Sequence, residues 1–126
     1  MSEIFVKNAK RYYSISSWEK SNDLLVAGFT TKNDGCSKMP FSSLNMGYHV
    51  ADEEKCVTRN RQLLAESINF PLASWVGAEQ THRNNIVKIT EKDRGKGAFD
   101  YHSAFLDTDG FYTNETNILL TLCFAD

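Results

Sequence analysis

Three histidines, His49, His82 and His102, and three cysteines, Cys36, Cys56 and Cys123, are the residues best able to bind metals or attack a substrate. None of the histidines is paired as His-x-His or His-Glu-x-x-His, and no Cys-x-x-Cys occurs, so the local spacing spells no complete metal site. A lone histidine is more often a hydrogen-bonded structural residue. His82 departs from that default because of its setting, "WVGAEQTHRNNIVKIT" over 75–90. It follows Gln80 where an apolar strand exits into a loop, and loops at strand ends commonly carry function. His49 lies in a second loop, and His102, beside Tyr101, belongs on the surface.

The charged candidates are fewer. Arg61 stands on an otherwise apolar helix stripe. It is either a solvated edge or a guanidinium that points at an anion. Asp107 and Asp109 in "LDTDGFYT" form either a carboxylate pair or, through Asp-Gly next to β-formers, a hairpin turn. Cys123, in the middle of an apolar run, reads as a small buried hydrophobe.

The elements that must position these groups can be read from periodicity. Strands are expected over 4–7, 11–16 and 24–31, and 32–52 reads as a long loop interrupted by Gly35, Pro40 and Gly47. One helix follows, capped by Asp52 with Glu53 and Glu54 in its first turn, and ended by Asn69 and Pro71. Its stripe is Val57, Asn60, Arg61, Leu64 and Ile68. Further strands are expected at 74–78, 85–90, 104–106, 111–113 and 117–125, with 91–100 as a polar glycine-bearing connection. Its Gly-Lys-Gly lacks the spacing of a phosphate loop. The run "NILLTLCFA" is apolar nearly throughout, so it is expected to be buried on both faces. Such a strand needs neighbours on each side: either earlier strands cover it or, the favoured reading, its partners lie in sequence beyond Asp126.

The size suits one domain of class α/β (α+β). A net charge of −2 leaves no basic footprint for nucleic acid, while a few placed cations suffice for a small anion. No apolar run reaches membrane-spanning length and no signal peptide opens the chain, so no membrane partner is expected and the cytoplasm is the default location. Three widely spaced cysteines fit reduced thiols better than a disulfide framework.

Five segments, the first of them in two parts, resemble in order the laccase-domain family, the YfiH/YlmD-type proteins formerly called multicopper polyphenol oxidases. "GFTTKNDGCS" and "FSSLNMGYHVAD" over 28–52 look like its Thr-Thr-Arg-x-Gly-Gly-x-Ser loop and Ser-Leu-Asn-hydrophobic-Gly-x-His segment. "NRQLL" over 60–64 is similar to its Asn-Arg helix, and "EQTH" over 79–82 to its Gln-x-His-Gly. "DTDGFYT" and "LLTLCFAD" are similar to its Ala-Asp-Ala hairpin and to the strand leading to Ala-Asp-Cys. Lys32 stands for the usual Arg, Asp34 for the first Gly of the pair, and Arg83 for the Gly after the histidine.

The resemblance implies a layered α/β sandwich similar to the catalytic domain of cytotoxic necrotizing factor toxins. It implies that residues 1–126 are the N-terminal part of a single laccase-type domain, ending before the expected zinc-ligand Cys. It implies a zinc enzyme that phosphorolyses adenosine, inosine or methylthioadenosine and also deaminates adenosine. His82 carries over as the first of three zinc ligands, in a His/Cys/His set. Lys32, Asn45, Arg61 and Gln80 are the candidates for contacts to nucleoside or phosphate. The alternatives are a copper-dependent polyphenol oxidase, against which three isolated histidines argue, a cysteine hydrolase by analogy with the toxin fold, and an inert fragment. The isolated chain is expected to bind zinc poorly, to be inactive, and to self-associate through an exposed sheet edge.

Overall fold

The computed structural model describes residues 3–7 and 10–124. Its architecture is mixed α/β. Strand β1 (Phe5–Lys7), β2 (Tyr12–Ile15) and β3 (Gly28–Thr30) form an antiparallel sheet in the order β1-β2-β3, with Val6 opposite Ser14 and Tyr13 opposite Phe29. Between β2 and β3 the chain makes a helical turn, α1 (Ser16–Ser21), which the β-like pattern over 11–16 does not suggest. The run 24–31 is a strand only over its last part. Asn22 and Leu25 instead close a turn, and the Glu19 carboxylate accepts the Ala27 N–H at 2.9 Å.

No regular element occurs between Thr30 and the main helix, as the glycine and proline pattern predicts. That helix, α2 (Glu54–Ile68), buries Val57, Asn60, Arg61 and Leu64 of the expected stripe; Ala65 is buried as well, and Ile68 only partly. Its start differs from the expectation. Glu53 is the N-cap residue and has no side-chain cap bond, while Asp52 is spent elsewhere, on the Glu53 N–H, Ser37 and Asn45. Its end agrees: Asn69 takes left-handed backbone (φ 54), and the Phe70 N–H returns to the Ala65 carbonyl.

After a 3-10 turn (Leu72–Ser74), strand β4 (Trp75–Val76) opens the part of the fold that matters for function. Parallel to it on one side runs β7 (Leu119–Leu120), and on the other side Ala78 bridges Phe105. The ladder continues irregularly. Thr121 donates to Val76, Phe105 to Gly77, and Thr108 to Glu79. Residues 75–80 are thus a central ribbon with all neighbours parallel, and its carboxyl end leads to His82. Strands β5 (Ile86–Lys88) and β6 (Gly110–Tyr112) form a further parallel pair. This overturns the hairpin expected at Asp109-Gly110, because parallel strands require a crossover and not a tight turn.

The core lies between α2 and this ribbon. Leu64, Ala65, Leu72, Trp75 and Ala98 are mutually packed, with Met46, Ile68 and Leu119 against them. The connection 91–100 packs by backbone: Gly95 donates to Trp75, and Gly77 donates to Lys96. Gly97 has φ +75, and a Cβ there would stand 2.8 Å from the Gly77 oxygen, so only glycine fits. The final strand is not buried on both faces. Among the described residues β7 has a neighbour on one edge only, and Leu122 and Phe124 are exposed. Residues 125–126, and with them the Ala-Asp of the terminal motif, lie outside the described residues. Among the described residues, no helix is long and apolar enough to cross a membrane.

Candidate active site

Parallel strands present their carboxyl ends to one side of the sheet, where ligands of open α/β folds commonly bind. Here that side carries Gln80, the 81–83 loop, Asp107, Asp109 and Cys123. A cavity of about 20 Å³, room for one water molecule, lies between this ribbon, α2 and the 48–49 loop. Arg61, Gln80, Tyr48, His49, Tyr101 and Cys123 are among its walls.

Arg61 is the most constrained of these. The sequence left open a solvated edge or an anion site, and burial to 7% exposure removes the first. Its Nε donates to the Met46 carbonyl (2.8 Å), and Nη1 donates to Gly97 (2.6 Å) and Ala98 (3.0 Å). The guanidinium carbon sits 4.4 Å from the centre of the Tyr48 ring. Nη2 has no protein acceptor, and no carboxylate pairs with Arg61, among the described residues. Burial holds the guanidinium below its ordinary pKa, with Cys123 and Tyr48 opposing. A buried cation tied by dipoles alone favours an anion beside it.

Cys123 and Thr121 alternate onto the cavity face of the last strand, so Leu122 and Phe124 turn the other way. Cys123 is half-buried, and burial pushes its thiol up while Arg61 pulls it down; the net shift is upward. The thiol therefore stays protonated near neutral pH. Gln80 completes the ladder with its side chain. Its Oε1 accepts the Cys123 N–H (2.7 Å), and its Nε2 donates to the Cys123 carbonyl (2.9 Å). The carboxamide thus imitates a strand backbone.

His82 is exposed and is not a wall of the cavity. Its loop is shaped by Asp109, whose carboxylate accepts the N–H groups of Thr81 (2.9 Å), His82 (2.8 Å) and Arg83 (2.5 Å). Burial alone would raise the Asp109 carboxyl, but these three backbone bonds hold it below its ordinary value. Asp107 accepts the Thr81 hydroxyl. The two acids are therefore loop anchors.

Lys32 and Asn45 do not line the cavity. The Lys32 side chain is exposed, and its carbonyl ties Ser43 and Leu44. The Asn45 amide bonds Gly47 and Asp52. Tyr48, Tyr101 and the lining role of Cys123 were missed by sequence reasoning. For Cys123 the alternation with Leu122 and Phe124 was the available signal; Tyr101 carried none.

Among the described residues, no group of three or more His, Cys, Asp or Glu side chains could hold a metal ion. His82 brings one imidazole, while Asp107 and Asp109 are engaged by the loop. The described residues do not make up a zinc or copper site by themselves.

A parallel α/β ribbon with a buried guanidinium at its carboxyl end frames a one-water cavity on a mixed α/β fold. Residues 26–126 match the family described as multi-copper polyphenol oxidoreductase laccase, and the chain belongs to that family. Among curated relatives, purine nucleoside phosphorylase YlmD of Bacillus subtilis is 52% identical over 115 residues, covering 89% of this chain and 41% of that protein. The YlmD of Geobacillus stearothermophilus is 54% identical over 101 residues, covering 80% and 37%. The crystal structure of the Bacillus licheniformis hypothetical protein YfiH superposes with a TM-score of 0.94 at 45% identity, covering 99% of this chain and 45% of that one. The chain thus spans less than half the length of these relatives.

Proposed function

We propose that residues 1–126 are the N-terminal part of a single laccase-type domain, and that the whole protein is a cytoplasmic purine nucleoside phosphorylase with adenosine deaminase activity. The observation that carries this reading is Arg61, buried and without a carboxylate partner among the described residues, with Nη2 directed to no protein acceptor. In phosphorolysis a phosphate oxygen bonds to the ribose C1′ as the C1′–N bond to the purine breaks, and the base leaves with a proton. A fixed guanidinium lowers the barrier by holding the anion in line. Gln80 fixes the ribbon end beside it. Lys32 and Asn45, on the long loop, are contacts for a ligand larger than the cavity. Relatives named purine nucleoside phosphorylase support the same substrate class.

His82 is proposed as one zinc ligand, with a Cys and a His supplied by sequence following Asp126. When bound, the metal would supply an activated water for deamination.

The whole protein carrying this chain is the test material. Adenosine, inosine and methylthioadenosine with phosphate should each release free base and ribose 1-phosphate. Arg61→Lys should raise the KM for phosphate about tenfold or more, because Lys lacks the planar fork, while the far-ultraviolet circular dichroism stays unchanged. No base release from a zinc-loaded whole protein would sink the reading. Phenol oxidation with stoichiometric copper would favour the oxidase in its place.

A further inference from the structure

Cys36 and Cys56 lie twenty residues apart in sequence and meet in the fold. The Cys36 thiol donates to the Cys56 carbonyl at 3.4 Å, and the Cys56 thiol donates to the Cys36 carbonyl at 3.4 Å. The pairing follows from the helix. Cys56 and Asn60 are four residues apart, so they occupy one face of α2 a turn apart. Asn60, fully buried, accepts the Cys36 N–H at 2.8 Å and donates to Ser37 at 2.9 Å. The face that grips the loop at Cys36 therefore also presents the second thiol to it.

We propose that Cys36 and Cys56 form a thiol–disulfide modification site, which a low-molecular-weight disulfide closes to an intramolecular bond. The Cys36 thiolate attacks one sulfur of the reagent, forms a mixed disulfide and releases the first reagent thiol. The Cys56 thiolate then attacks the Cys36 sulfur and releases the second. Two protein thiols and one reagent disulfide become one protein disulfide and two reagent thiols, so atoms and electrons balance. The order follows from exposure: Cys36 is exposed and Cys56 half-buried. The Cys56 thiol is pushed up to about 11, first by a hydrogen bond with the Cys36 side chain and then by burial and the Cys36 charge. Capping Cys36 removes the largest of these causes, so the first step prepares the second thiol for the second step. Cys123, on the cavity, has no partner thiol among the described residues. The disulfide would pin the 32–52 loop, which carries Tyr48 and His49, to the first turn of α2. The inference does not depend on what the cavity binds.

The test is peptide mapping of the whole protein after exposure to oxidised glutathione. Free thiols are blocked with iodoacetamide and trypsin digestion is run without reductant. The tryptic peptides NDGCSK (33–38) and CVTR (56–59) should appear joined, lighter than the two free peptides by two hydrogens, while Cys123 is alkylated. In Cys56→Ser, glutathione should accumulate on Cys36, and in Cys36→Ser the joined peptide should vanish. Hydrogen exchange over 33–50 should slow in the oxidised wild type. Glutathione retained on Cys36 of the wild type with no joined peptide, or Cys56 joined to Cys123, would overturn the proposal.

Discussion

At Asp34 and Arg83, where the resemblance expects glycine, backbone geometry shows why a side chain is tolerated. Asp34 has left-handed backbone (φ 69), which Asp adopts more readily than most residues. Arg11 holds it with an ion pair at 3.1 Å and a bond to its carbonyl at 3.0 Å. At 82–83 the positive φ falls on His82 (φ 60) and not on Arg83, so a side chain at 83 meets no backbone penalty. What makes His82 adopt that backbone is Asp109. This supports a prediction. The folded pKa of Asp109 is depressed, so its contribution to the loop is fully present above the ordinary value of 3.8 and is lost as pH falls through the lower folded value. Exchange of the 81–83 amides, followed by NMR between pH 6 and about 2, should lose its protection and approach the intrinsic rate in that acid window. In Asp109→Asn it should be fast throughout, because a neutral amide offers one oxygen to three donors. Wild-type amides protected equally at both ends of the range would show that the carboxylate does not shape the loop. His82 was legible as a strand-exit residue. The role of Asp109 was not, because a carboxylate that reaches back across a parallel crossover looks, in one dimension, like part of a turn.

Helix α2 shows how one element organises the walls of a site. Most of its stripe was readable from spacing, since Val57, Asn60, Arg61 and Leu64 recur at helical period, while Ala65 was not read. The polar members of the stripe carry different tasks. Asn60 holds the loop through Cys36, Ser37 and the Asn45 carbonyl at 2.8 Å, while Arg61 holds Met46 and the 97–98 backbone. One turn of helix thereby ties two otherwise irregular segments, and this is how a loop over 32–52 stays ordered without strands. Asn60→Ala strips three bonds and leaves a buried N–H and a carbonyl unpaired, a cost of about 2–4 kcal/mol. Urea denaturation should show this as a lower midpoint at unchanged m-value. A loss under about 0.5 kcal/mol would mean that water replaces the amide without penalty. Short strands were over-read from sequence for a related reason. The apolar runs 24–31 and 117–125 are long, but regular pairing needs a partner backbone in register, and side-chain bonds from Glu19 and Gln80 stand in for it.

For the whole molecule, the open question is what covers its apolar exterior. Phe5, Phe29 and Phe124 are each exposed by 46% or more, and they stack as a row, Phe5 on Phe29 at 6.4 Å and Phe29 on Phe124 at 5.4 Å. Leu122 lies on the same side of the last strand as Phe124. A monomer rarely leaves such a continuous patch in water. The strand edge beside β7 also offers backbone groups to any chain that can pair with it. The edge, and the Phe124 end of the row, belong to the carboxyl end of a chain that spans under half of its relatives. If 1–126 is part of a longer domain, the remaining sequence should cover this row and edge. The 126-residue chain alone should then associate at micromolar concentration in sedimentation velocity, with its weight-average mass rising with concentration. Phe124→Ser should reduce the association without lowering helix content, because Phe124 is 69% exposed and lies outside the helices. Co-expression with the rest of the protein should return a single discrete species and create zinc binding that neither piece has alone. His82→Ala in that complex should lower bound zinc, read by atomic absorption, while the mass stays the same. A chain that stays monomeric at high concentration and gains no metal from the complementing piece would show that the row is a surface in its own right.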